Sequence, residues 1–177
     1  MPASDTDQTF DTRAFRDALG QFPTGVAVVT AMVAGRRSAN ADQSESDLSH
    51  IGITVNSFAA VSLDPPLVLW CIDRRSRRHD AFVAAPGFTV SILSAEHKAV
   101  SARLSGAGEH TLDGLALLAT ELGPPALADS LAVFECARES VVPGGDHSIL
   151  IGRVLRLRRP QEGAPLVFFQ GRYSALA

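Results

Sequence analysis

Apolar positions near the start of the chain, Phe10, Ala14, Phe15, Ala18, Leu19 and Phe22, recur at three- and four-residue spacing. That period predicts a short helix with one apolar face, ending at Gly20 or Pro23. From Gly25 to Val33 the pattern becomes a β-branched run, too short to cross a membrane and suited to a buried strand. Between Ala34 and His50 polar residues dominate and no period survives, which predicts a long flexible insert over 34–50 between two strands. Strands return at Ile51 to Val61 and Leu67 to Ile72. The intervening Leu63-Asp64-Pro65-Pro66 forces a turn, because its prolines remove ladder donors. Arg75 to Ala85 has helical spacing, Gly87 to Leu93 reads as a strand, and Ser94 to Leu104 as a helix capped by Ser94. Leu112 to Leu122 is apolar, with no period that decides its type. Two long strands, Leu131 to Val142 and Ser148 to Arg158, flank the hairpin signal Pro143-Gly144-Gly145-Asp146, and a last strand, Pro165 to Gln170, precedes Gly171-Arg172-Tyr173. No repeat and no regular strand–helix alternation is present. The sum is a mainly β protein, an antiparallel barrel with a few short helices.

Length and charge narrow this further. The 177 residues allow one domain over 10–177 behind a polar tail at 1–9, with 46% hydrophobic residues to fill its core. A near-balance of 16 Lys+Arg against 19 Asp+Glu excludes a chain whose main work is coating nucleic acid. The first residues are polar and acidic where a signal peptide would be basic and then apolar, and no long apolar run occurs. The expected location is therefore the cytoplasm, away from membranes. Cys71 and Cys136 stand alone, as buried thiols would, and the five histidines are scattered singly, so no metal site is expected. The segments that define a Rossmann cofactor site, a P-loop, a zincin and an α/β-hydrolase are missing.

Three clusters can carry chemistry. In Gly52 to Ser62, Thr54 and Asn56 share one strand face while Ile53 and Val55 share the other. The polar face would suit either a planar heteroaromatic ligand, with Ala59 and Ala60 small enough for close approach, or solvent. Asp73-Arg74-Arg75-Ser76-Arg77-Arg78-His79 places four arginines at the start of a predicted helix, where they oppose its dipole unless an anion neutralises them. It reads as a phosphate clamp or as a solvated turn. Gly144-Gly145-Asp146-His147 sets a histidine at a hairpin, either beside a ligand or exposed with no role.

The landmarks FRDALGQFPTGVAVVTA, GITVNSFAAVSLDPPLV, the Ser76 region, GFTVSIL, GDH followed by GRV, and PLVFFQGRYSAL run in order along most of the chain. Together they resemble the flavin reductase-like family of FMN-binding split barrels, short-chain NAD(P)H:flavin reductases that serve two-component flavin monooxygenases. The resemblance implies a six-stranded antiparallel split barrel with flanking helices, acting as a homodimer. It also implies FMN or FAD reduced by NADH or NADPH, and reduced flavin that diffuses to a separate oxygenase. Thr54, Val55, Asn56, Ser57, Phe58 and Ala60 would line the flavin, with Asn56 and Ser57 bonding it directly. Ser76 and Arg77 would take the phosphate, His147 would sit beside the ring in an orienting or electrostatic role, and Tyr173 would help close the pocket. A flavin-binding barrel without turnover, for storage or sensing, is the alternative.

Overall fold

The structure, a computed structural model, describes residues 11–34, 48–106, 111–158, 162–174 and 176. Helix α1 (Thr12–Leu19) starts where the Asp11 carboxylate accepts the Ala14 N–H at 2.6 Å and stops at Gly20, as the apolar spacing predicts. Strands β1 (Thr24–Gly25), β2 (Ala27–Ala34), β3 (Leu48–Val55), β4 (Ala59–Leu63) and β5 (Pro66–Asp73) follow. Then come α2 (His79–Ala84), β6 (Gly87–Ile92), a single 3-10 turn at Ala95–His97 and α3 (Lys98–Ser105). The chain closes with β7 (Leu117–Leu118), β8 (Ala126–Leu127), the long hairpin β9 (Ala132–Gly144) and β10 (His147–Arg158), and finally β11 (Val167–Phe169) and β12 (Arg172–Ser174). The expected insert at 34–50 narrows, since β2 reaches Ala34 and β3 begins at Leu48; positions 35–47 lie outside the described residues.

The main sheet has seven strands in the order β3-β2-β6-β9-β10-β5-β4, every neighbour antiparallel. The seventh arises because the single strand expected over 51–61 is two. Their break at Asn56-Ser57-Phe58 carries the chain from one edge of the sheet to the other. Laid flat, seven strands would hold those edges about 29 Å apart. From Val55 to Ala59 the chain reaches at most about 15 Å. The sheet must therefore curl into a barrel whose edge strands, β3 and β4, meet at a corner without pairing: a split barrel.

Alternation along β2 builds two cores. Ala27, Val29 and Ala31 face the barrel interior with Ile72, Phe82, Val90, Cys136 and Leu150, around Trp70, whose ring meets Phe82 at 5.1 Å and Phe88 at 5.7 Å edge-on. Val28 faces outward and, with Val26, joins Leu93, Leu104, Leu112, Leu127 and Leu166 beneath α3 and the C-terminal strands. The outer row of the sheet also carries buried polar groups: Thr30 and Thr89 donate to the carbonyls of Pro125 and Pro124, Ser91 accepts the Leu127 N–H, and Glu135 accepts the amides of Glu121 and Leu122. These bonds strap the 120–128 segment across the barrel. Its course is set by partners on three other strands, which is why Leu112 to Leu122 shows no period of its own.

The helix expected over 75–85 begins only at His79, because two turns precede it. The Ser76 and His79 amides donate to the carbonyls of Asp73 and Ser76, and the Arg78 amide donates to the Ser76 hydroxyl. Arg75 and Arg77 thus lie ahead of the helix, and Arg78 is its cap residue. Most of the conflict with the dipole inferred from sequence disappears.

Candidate functional site

A cleft of about 530 Å³ opens along the barrel's split. One wall is β3 at Ile53, Thr54 and Val55 with the corner residues Asn56 and Ser57; the other is the end of β5 at Cys71, Ile72 and Asp73. The floor at one end is the turn Arg75 to Arg78 with Ser105 and Gly106 from the end of α3, and His147 stands at the mouth.

Each side chain has a structural reason for its position. Ile53 and Val55 turn into the core while Thr54 turns out and donates its hydroxyl to the Ser101 carbonyl at 2.8 Å, tying β3 to α3. Ser57 continues the register of β4 on β5 with its side chain: its hydroxyl accepts the Cys71 N–H at 2.9 Å. Asn56 is exposed at the crossing point. Burial raises the Cys71 thiol above its ordinary value, partly offset by Ser57.

At the other end, Asp73 accepts from the Arg75 amide at 2.7 Å and takes its guanidinium with both carboxylate oxygens. Those bonds hold the Asp73 carboxyl down to about 2. Arg78 donates to the carbonyls of Gly52 at 2.8 Å, Leu104 at 2.9 Å and Gly106 at 3.3 Å, capping the negative end of α3 with a cation. Its Nε is buried without a partner among the described residues, and burial lowers the guanidinium's pKa from its ordinary value. Among the described residues neither Arg77 nor Arg78 pairs with a carboxylate. The cleft therefore has a small neutral polar edge at Thr54, Asn56 and Ser57 and an uncompensated cationic end. The amides of 75, 76, 78 and 79 are spent inside the turns, so an anion there would not be met by them.

Of the residues singled out from sequence, the cleft gathers Thr54, Val55, Asn56, Ser57, Ser76, Arg77 and His147. Phe58 lies against the core with its ring 5.6 Å from Phe134, and Ala60 is exposed on β4. Tyr173 packs on the second core, its hydroxyl 2.8 Å from Ser101 Oγ and its ring 5.7 Å from Phe168. These three are not among the cleft's lining residues. Sequence reading did not assign Cys71, Asp73, Arg75, Arg78, Ser105 or Gly106. Asp73, Arg75 and Arg78 stood within the arginine-rich string without roles of their own, and the carbonyl partners of Arg78 lie 26 to 28 positions away.

The hairpin carrying His147 turns on Gly145, at φ 64°, the positive value its first loop position needs. Register places His147 opposite Asp73, and its Nδ1 lies 2.7 Å from Asp146 Oδ1.

A family model described as the flavin reductase like domain matches residues 19–177. The FMN reductase (NADH) SmoA of Agrobacterium fabrum is 42% identical over 163 residues, 92% of this chain and 85% of that protein. HsaB, the reductase subunit of a flavin-dependent monooxygenase from Rhodococcus jostii, is 36% identical over 96% of this chain and 80% of its own. Among solved structures, the NADH:FAD oxidoreductase SgcE6 of Streptomyces globisporus superposes with a TM-score of 0.81 at 33% identity, covering 94% of this chain and 93% of that one. The styrene monooxygenase flavin reductase of Pseudomonas putida S12 gives 0.74 at 36% identity, over 92% and 97%. Matched over nearly its whole described length in sequence and in fold, the chain belongs to the flavin reductase-like domain family.

Proposed function

We propose that this protein is an NAD(P)H:flavin oxidoreductase that reduces FMN or FAD and supplies the reduced flavin to a separate oxygenase. The observation that carries the reading is the cleft itself, a neutral polar edge at Thr54, Asn56 and Ser57 set against Arg77 and Arg78, cations with no carboxylate partner among the described residues. That donor set fits a flavin nucleotide: amide and hydroxyl groups for the edge of a heteroaromatic ring, guanidinium groups and Ser76 for a phosphate. When bound, the flavin supplies the hydride acceptor, and the protein need provide no nucleophile. Asn56 and Ser57 orient the ring, Arg77, Arg78 and Ser76 hold the phosphate, and His147 orients or polarises the reacting edge at the mouth. The names of HsaB and of the styrene monooxygenase reductase support delivery to a partner oxygenase.

The same reading makes the protein a homodimer. Phe15, Leu19 and Phe22 form an apolar stripe along and just beyond α1, exposed by 47%, 57% and 74%, which a second copy would cover. Two free cysteines fit a reducing cytoplasm, and no described helix is long and apolar enough to cross a membrane.

Anaerobic stopped-flow mixing with FMN or FAD, followed by NADH or NADPH, tests the assignment. Protein-dependent bleaching of the flavin's visible band is expected, and the faster pair names the preferred flavin and donor. Flavin binding without bleaching by either donor would replace this reading with storage or sensing.

A further inference from the structure

At the mouth of the cleft two acid–base pairs lie side by side. On β5, Arg75 engages both oxygens of Asp73. On the facing hairpin, His147 Nδ1 meets Asp146 Oδ1, and the Asp146 carbonyl accepts the Arg74 N–H at 3.0 Å, which pins the hairpin to the turn below it. Among the described residues the charged groups around the imidazole are therefore Asp146 on its own hairpin, and Asp73 and Arg75 across from it. Asp73 stands opposite His147 in register but is occupied by Arg75, which leaves Asp146 as the group that holds the ring.

We infer that Asp146 is a positioning residue: its carboxylate fixes His147 in the tautomer that carries the proton on Nδ1, leaving Nε2 as the nitrogen presented to the cleft. The chemistry follows from the pair. An ionised carboxylate only accepts, so a hydrogen bond to Nδ1 requires the proton there. The hydrogen bond from His147 also holds the Asp146 carboxyl below its ordinary value, so it is ionised at neutral pH. Imidazole side chains free in water favour the opposite tautomer, with the proton on Nε2. Without Asp146, His147 would offer the cleft a donor where the native protein offers an acceptor, and would be free to rotate about its own bond.

The consequence for turnover rests on the reductase reading, whereas the tautomer does not, and the two are measured separately. In the full-length protein with nitrogen-labelled histidine, His147 is identified by loss of its resonances in His147→Gln. Nitrogen NMR at a pH where the ring is neutral then reports which nitrogen is protonated. The native protein and Asp73→Asn are expected to show Nδ1–H, and Asp146→Asn a shift towards Nε2–H. With NADH as donor, Asp146→Asn should lower kcat about threefold to tenfold, the scale of one charge-assisted hydrogen bond in a half-exposed pair. KM for flavin should stay within about twofold, since no phosphate or ring-edge contact is lost. An unchanged tautomer in Asp146→Asn, or an equal loss in Asp73→Asn, overturns the inference even if the protein reduces flavin normally. Absence of flavin reduction in the native protein overturns the functional reading and leaves the tautomer result standing.

Discussion

Arg78 is the residue whose surroundings most constrain its chemistry. A half-buried guanidinium bonded to three carbonyls, with no carboxylate paired to it among the described residues, both closes the end of α3 and leaves its charge for a ligand. The two roles separate by substitution. Arg78→Lys keeps the charge and loses the fork; Arg78→Met loses both, and either should cost about 1–3 kcal/mol in urea unfolding through the stranded carbonyls. Fluorescence titration should then rank FMN affinity as native, Lys, Met. Lumiflavin, which lacks the phosphate, should bind the two variants alike; a Lys–Met difference with lumiflavin would place the residue at the ring instead. The neighbouring Asp73 sets a pH window. Its folded carboxyl sits at about 2 against an ordinary 3.8, so its contribution to stability is complete above the higher value and vanishes as pH falls through the lower. Asp73→Asn should therefore unfold at lower urea than the native protein at neutral pH. The two midpoints should converge as acid is added across that window.

At the level of elements, one tight approach in the barrel is at the bulge of β10. A Cβ on Gly152 would stand 2.4 Å from Phe88 Cζ and 3.0 Å from Cys136 Cβ, so the glycine exists to let the Phe88 ring pass. Gly152→Ala should destabilise by about 1–3 kcal/mol in urea denaturation, and Phe88→Leu should relieve part of that cost in the double variant. Much of this architecture was legible in the sequence because local chemistry decides it. Gly20 ends α1, and Gly144-Gly145 makes the hairpin wherever the strands lie. The division of β3 from β4 was not legible, since Asn56-Ser57 contains no breaker and the run would continue as one strand were the sheet flat. Barrel closure bends it there. Likewise the arginine-rich string was readable as a phosphate clamp or a solvated turn, and from it the cleft gathers Ser76 and Arg77. Whether Arg78 joined it depended on Gly52, Leu104 and Gly106, which only the fold brings near. Tyr173 shows the reverse case: its bond to Ser101 anchors the C-terminal hairpin to α3, a partnership across 72 positions that no local pattern encodes.

For the whole molecule, the two cores are joined along β2 and the residue before it, with Val26 and Val28 serving the outer core and Ala27, Val29 and Ala31 the inner. They should therefore melt as one unit. The chain supplies one reporter for each: its single tryptophan, Trp70, is fully buried in the inner core, and its single tyrosine, Tyr173, packs on the outer. Urea transitions followed by Trp70 emission and by the fluorine signal of fluorotyrosine at Tyr173 should coincide; separated midpoints would show that the outer core can detach. That β3 and β4 do not pair with each other adds a further consequence. Along that seam the barrel is held by the Asn56 to Phe58 corner, by Ser57 on Cys71 and by Arg78 on Gly52, rather than by a continuous ladder. A molecule seated in the cleft would touch β3 on one wall and the end of β5 on the other, and act as a keystone between them. Amide hydrogens near the corner would then exchange quickly in the empty protein and slowly in the loaded one, and each release of product would require the barrel to loosen where it is already thinnest.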